Sequence, residues 1–226
     1  TTTPMEVGPT THYIMGGIRV DADTQASTLP GLFAAGECAS GINGANRLGG
    51  NSLSDLIVFG KRAGEYAALF AKENGHGTID NTQIETEAKR ALEPFERMGG
   101  DNPFNIQHDL QDMMQRLVGI VRLEDEMKEA LDGLENLKNR ASRSSITGNI
   151  DFNLRSLLTV SEAITLSAIE RKESRGGQFR EDYPNKDPEF AKFNIAVKEV
   201  DGRMQVSHIP LPEMPAELKQ VIEEMG

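Results

Sequence analysis

The stretch FAAGECASGINGANRLGGNSL, residues 33–53, carries most of the information in this chain. Leu32–Ala35 reads as a short buried strand that stops at Gly36, beside the acid Glu37; such strand-to-glycine turns are common places to meet a ligand. A Gly/Asn loop with one arginine, Arg47, follows. Beyond it, Leu53, Leu56, Ile57, Phe59, Ala63, Ala67 and Phe70 recur near the helical period, which predicts a helix over Ser52–Phe70 with Asn51 or Ser52 as its N-cap. Free N–H groups at a helix start favour an anion. An arginine alongside presents a planar fork that grips a carboxylate or phosphate through two parallel hydrogen bonds. The plainer reading is a tight surface loop with a solvated Arg47, and spacing alone leaves both open. No Walker-type loop or GxGxxG is present to support a phosphate cradle.

On the N-terminal side lies HYIMGG, His12–Gly17. A lone histidine before a glycine pair is by itself more often structural than catalytic. Gly17–Val20 then reads as a strand and Asp21–Gln25 as a turn. His76, His108 and His208 stand at no metal-ligand spacing from one another or from any Cys, so no metal site is expected. Cys38 is the single cysteine, which excludes an internal disulfide and any Cys-based zinc or iron–sulfur site. With no histidine readable as its partner, it reads as a small buried or half-buried residue rather than a reactive thiol.

The whole chain has 226 residues, with 24 Lys+Arg against 35 Asp+Glu and a formal charge of −11, so no phosphate-neutralising excess is available for nucleic acid. No apolar run reaches the roughly 20 residues of a bilayer span, and no leader is readable. These features predict a soluble protein of a reducing compartment.

Glycines crowd between Gly8 and Gly64 and thin out afterwards. That shift predicts a loop-rich front segment, a junction near residues 74–81, and helices from Gln83 to Lys172. Three amphipathic stripes follow the junction: Ile106 to Val121, Leu123 to Leu137, and a third that starts near Asp151 or Asn153 and runs to Ala168. Stripes of this width pack as a small antiparallel bundle, with the methionines filling its core. From Arg175 the pattern turns polar. Phe193–Val197 and Gln205–His208 flank Asp201–Gly202 as a hairpin, and Pro215–Met225 reads as a last surface helix.

HYIMGGI, PGLFAAGEC and GANRLGGNSLSDLIVFGKRAGE, in that order between His12 and Glu65, resemble the flavoprotein subunit of succinate dehydrogenase and fumarate reductase, most of all its actinobacterial-type branch. NPFNIQHDLQDMM and ESRGGQFREDYPNKDPEF resemble the helical domain and following segment of the same subunit. The resemblance implies an α/β remnant of a Rossmann-like FAD-binding domain over residues 1–78. An all-α bundle over 79–175 and a short irregular C-terminal segment over 176–226 would follow. It also implies that the chain is the C-terminal part of a longer protein whose GxGxxG unit, flavin-attaching histidine and capping domain lie elsewhere. The proton-shuttling arginine would sit in that cap, so no catalytic residue is expected here.

Carried over by position, His12, Arg47 and Gly50 would bind a dicarboxylate, succinate or fumarate. Tyr13 would lie against the flavin, Glu37 would hold ribityl hydroxyls, and Asn51, Ser52 and Leu53 would meet the pyrimidine edge of the isoalloxazine. The implied partners are an iron–sulfur subunit and, through it, membrane-anchor subunits, with the protein on the cytoplasmic side of the membrane. Two positions depart from the family pattern: Asn43 stands where a histidine usually precedes Gly-Ala-Asn-Arg, and Gln178 where one usually ends Ser-Arg-Gly-Ala-His. They bear on the contacts around the flavin and on the docking of the C-terminal segment. Two alternatives remain: a flavoenzyme similar to L-aspartate oxidase, and a helical docking module that holds no FAD in isolation.

Overall fold

The computed structural model describes residue 4, residues 12–145 and residues 150–225. The chain is mostly helical with small sheets. Its elements are α1 (Asn51–Asn74), α2 (Asn81–Glu96), α3 (Pro103–Leu117), β1 (Val121–Arg122), α4 (Glu124–Arg143), α5 (Ile150–Glu170), β2 (Phe179–Arg180), β3 (Phe193–Val200), β4 (Arg203–Pro210) and α6 (Ala216–Met225).

The apolar stripes of α3, α4 and α5 bury one another. Ile106, Leu110, Leu134, Leu137, Ala141, Leu154 and Leu158 form one cluster. A second, of Leu117, Val118, Met127, Ala130 and Ala168, sits at the other end of the same three helices. Asn102 opens α3 by accepting the Phe104 N–H at 2.9 Å, with Pro103 at the first helical position, where its missing N–H costs nothing. The α3 stripe is shorter than its apolar spacing suggests. The helix ends at Leu117, Val118 leaves helical geometry (φ −130°) yet stays in the core, and Val121 is already in β1. Met127 is fully buried, and Met113 and Met114 pack against both clusters, whereas Met98 is exposed.

Segments expected as strands in the front part are bridges instead. Gly17–Val20 and Leu32–Ala35 contribute only the isolated pairs Ile18–Ala39, Val20–Ser27 and Ala26–Phe33. A strand persists through neighbours on both sides, and no described residue supplies a second one. The intervening turn does form: Asp21 Oδ1 accepts the Thr24 N–H and hydroxyl at 2.9 and 2.8 Å. Helix α1 starts one residue before Ser52. Its N-cap is neither Asn51 nor Ser52 but Gly50, in left-handed geometry (φ +85°) and with no side chain capping the helix. The apolar face of α1 is largely open to solvent, Leu53, Leu56 and Ile57 among it, and the one buried residue of the helix is Asp55.

β1 and β2 form a short parallel pair that ties the α3–α4 connection to the chain after α5. β3 and β4 run antiparallel for their full length around Asp201–Gly202, both with positive φ, the hairpin geometry that an Asp-Gly pair favours. The hairpin rests on α5, where His208 reaches Glu170 at 2.7 Å and stacks on Phe193. Helix α6 is exposed throughout its described side chains.

Two buried ion-pair knots lock the segment after α5. Glu173, fully buried, accepts from Arg171 Nη1 at 2.6 Å, from Arg175 at 2.8 and 2.9 Å, and from the Asp187 N–H at 2.9 Å. Arg180, also fully buried, donates to both Asp182 oxygens, to Ala168 O and to Ile169 O at the end of α5. Burial opposes ionisation of Glu173, but the hydrogen bonds from Arg175, Asp187 and Arg171 outweigh it and hold the carboxyl at about 2.

Two outcomes follow. Leu134→Ala lowers stability by about 3 kcal/mol in urea unfolding followed by circular dichroism, whereas Ile57→Ala changes it by less than about 0.5 kcal/mol. The folded-state pKa of Glu173 lies below its ordinary value of 4.5, so its stabilisation is complete above that value and is lost as pH falls from there toward 2. Across that window wild type loses on the order of 3 kcal/mol that Glu173→Gln has already lost at neutral pH, and acid unfolding curves of the two converge.

Candidate functional site

HYIMGGI is held to the glycine turn and the Arg47 loop by three backbone N–H groups. The Ile14 N–H donates to Glu37 Oε1 at 3.1 Å, and the Ile18 N–H to Cys38 O at 2.8 Å. The Arg47 N–H reaches Met15 Sδ at 3.1 Å. Gly36 makes the turn possible with φ +73°, and residues 36–38 form a single 3-10 turn in place of a longer strand end. Cys38, expected to be buried or half-buried, is instead exposed, and its thiol donates to Ala35 O.

The Gly-Ala-Asn-Arg loop is backed by the segment after α5. The Gly177 N–H donates to Ala45 O at 2.9 Å, and a Cβ on Gly176 would stand 2.2 Å from that same oxygen, in a backbone with φ +59°. Only glycine allows this approach without displacement. Gln178 explains its own presence. Its carbonyl accepts from Arg122 at 2.6 Å, and its amide donates to Ala168 O and Arg171 O at 3.1 Å, filling the carbonyls that end α5. Nothing in the structure accounts for Asn43.

Arg47 is half-buried, and its guanidinium lies 4.3 Å from the centroid of the Tyr13 ring. His12, exposed, has its ring 6.5 Å from that of Tyr13. No carboxylate pairs with Arg47 among the described residues, and its Nε is buried without a partner, as is the Tyr13 hydroxyl. Three residues on, Gly50 turns the chain into α1. The Asn51 N–H bonds Leu48 O at 3.1 Å, and no side chain covers the N–H groups that follow.

Of the residues expected from sequence, His12, Tyr13, Glu37 and Arg47 are therefore joined by direct or neighbouring contacts. Gly50, Asn51, Ser52 and Leu53 are adjacent to them through the chain, and Leu53 projects into solvent. Sequence reasoning missed Met15 as an acceptor and Gly176–Gly177 as the backing of the loop. It also missed the buried Asp55, neither of whose oxygens has a partner. The glycine pair in SRGG was the available signal.

Residues 107–222 match the family model "Fumarate reductase flavoprotein C-term", and residues 2–53 match the model "FAD binding domain". The fumarate reductase flavoprotein subunit of Haemophilus influenzae is 37% identical, the match covering 92% of this chain and 37% of that protein. The corresponding subunit of Mycobacterium tuberculosis is 38% identical, with coverage of 91% and 38%. Among solved structures, Mycobacterium smegmatis Sdh1 in complex with UQ1 superposes with a TM-score of 0.87 at 40% identity, covering 97% of this chain and 39% of that one. The chain belongs to the fumarate reductase and succinate dehydrogenase flavoprotein family. It spans somewhat over a third of the length of the curated relatives it matches.

FAD is the cofactor of that family, and the local structure suits such a group. The helix start is uncapped, the buried Tyr13 hydroxyl and Arg47 Nε lack partners, and Gly44, Gly49 and Gly50 have open space where a side chain would stand. Gly176→Ala should displace the Ala45 carbonyl and loosen the Arg47 loop. Hydrogen exchange at residues 43–50 should accelerate at least about tenfold, an opening cost of a little over 1 kcal/mol, while the α3–α5 core keeps its protection.

Proposed function

We propose that this chain forms the dicarboxylate- and flavin-facing wall of a flavoprotein that interconverts succinate and fumarate. Residues 1–78 would be the C-terminal part of its Rossmann-like FAD-binding domain, 79–175 its helical domain and 176–226 its C-terminal segment. One observation carries the reading: a half-buried arginine with no carboxylate partner among the described residues, beside a helix start with no side-chain cap. In a chain of net charge −11, such an arginine is set to receive an anion from outside.

His12 and Arg47 would hold the two carboxylates of the substrate from opposite ends, with the Gly50 N–H as a third donor. Gripping both ends fixes the central C–C bond and removes the orientational freedom that would otherwise oppose reaction. The uncapped start of α1, at Asn51, Ser52 and Leu53, would face the pyrimidine edge of the isoalloxazine and favour negative charge there. Glu37, with Oε1 engaged by Ile14, would direct its other oxygen to ribityl hydroxyls, and Tyr13 would lie against the ring system. When bound, FAD supplies the hydride acceptor and donor. Electrons would pass to an iron–sulfur partner.

The names of the relatives favour this reading over the L-aspartate oxidase alternative. No helix among the described residues is long and apolar enough to cross a membrane, which suits a peripheral subunit held at the cytoplasmic face by partners.

In the full-length protein loaded with FAD, Arg47→Gln should weaken succinate binding about a hundredfold, the loss of a bidentate charged contact. An unchanged affinity would remove the reading. A second reading, favoured by the solvent-exposed apolar face of α1, is that residues 1–226 alone hold no flavin and act as a helical docking module. The purified chain should then be colourless after gel filtration. A flavin band near ~450 nm that co-elutes with it would decide against the module.

A further inference from the structure

Most other cations of intermediate or full burial are tied to oxygens of the chain itself. Arg171 and Arg175 bond Glu173, Arg180 bonds Asp182, Arg140 bonds Asp101, and Arg97 bonds Glu93. Arg47 differs: an aromatic face stands where those have a carboxylate. Its guanidinium carbon is 4.3 Å from the Tyr13 ring centroid, within the range of a cation–π contact.

This difference has a chemical consequence. A carboxylate partner would occupy the in-plane donors of the fork and neutralise its charge, so an incoming anion would have to compete for it. A ring face attracts the cation through its quadrupole, fixes the guanidinium's position, and leaves its positive charge un-neutralised and its in-plane N–H groups without a carboxylate. The backbone of Arg47 is anchored separately by its N–H to Met15 Sδ at 3.1 Å, so HYIMGG holds Arg47 at both its backbone and its guanidinium. The Tyr13 hydroxyl has no hydrogen-bond partner, which leaves the ring itself as the acting group.

We propose that Tyr13 is a positioning residue that orients Arg47 for a substrate carboxylate without neutralising it. This rests on the dicarboxylate reading above and deepens it: anion affinity at Arg47 depends on the electron density of the ring at position 13. The role is separate from any contact Tyr13 makes with the flavin.

The test uses the full-length protein loaded with FAD and malonate, a dicarboxylate that does not react, with affinity read by titration calorimetry. Tyr13→Phe should bind malonate within about twofold of wild type, and Tyr13→Leu about tenfold more weakly. Pentafluorophenylalanine at position 13 keeps the shape of phenylalanine and reverses the charge of its face, so it should bind as weakly as the leucine variant or worse. In an Arg47→Gln background, Tyr13→Leu should cost no more than about twofold further, because the ring then has no cation to orient. In steady-state assays the leucine and pentafluorophenylalanine changes should both raise KM for succinate relative to Tyr13→Phe.

Equal affinity for the phenylalanine and pentafluorophenylalanine forms overturns the proposal. So does a Tyr13→Leu loss that adds in full to that of Arg47→Gln. If Arg47→Gln alone leaves malonate affinity unchanged, the dicarboxylate reading fails first and the positioning role falls with it. Should Tyr13→Leu fail to fold or to hold FAD, the phenylalanine and pentafluorophenylalanine pair decides by itself.

Discussion

The buried carboxylate of Glu173 is the constraint on which the site depends. It stands just past the end of α5 and gathers Arg171, Arg175 and the Asp187 N–H around itself. That knot sets the path of residues 174–187, and Gly176–Gly177 on this path press against the Ala45 carbonyl. The Arg47 loop is therefore placed by a contact that begins in the helical core. A buried pair of this kind contributes little net stability over an apolar substitute, but removal of one partner strands the other charge out of water. Its value here is specificity of path.

Arg180 does the same service from the other side of the segment. It joins Asp182, Glu124 and the last carbonyls of α5, while Gln178 closes the remaining carbonyls and Arg122. Backbone groups that would end α5 unsatisfied are thus consumed by side chains from the following turn. Among the described residues, every buried side-chain polar atom of the helical part and the segment after it has a partner. In the front part, Arg47, Tyr13 and Asp55 retain buried polar atoms without partners. The contrast separates a part whose buried polar groups are satisfied internally from one in which some are not.

Much of the helical part was legible from local pattern. The α3, α4 and α5 stripes repeat every three to four residues, so each helix is specified by its own spacing, and Asp201–Gly202 specifies its hairpin by the positive φ both residues tolerate. The front part was legible differently. The residues of HYIMGG and GANRLGG were recognisable as motifs, but the strands expected around them are only bridges, because a strand is defined by partners rather than by its own sequence. The Gly50 cap was missed for a similar reason. Spacing marks the start of an apolar face, whereas the left-handed turn that opens α1 is set by the loop before it.

The amino-acid sequence by itself determined the family, the helices α3 to α5 and the hairpin after them, and the identity of the anion-binding candidate, Arg47. These depend on residue types at fixed local spacing, which a linear reading can see. The tertiary structure alone decided what surrounds that arginine: a ring at 4.3 Å, a thioether on its N–H, and a glycine pair behind its loop. Tyr13 and Arg47 are far apart in the chain, as are Ala45 and Gly176. No periodicity encodes such meetings: the Glu173 knot brings Gly176–Gly177 to Ala45, and contacts of HYIMGGI with Glu37, Cys38 and Arg47 bring Tyr13 to Arg47.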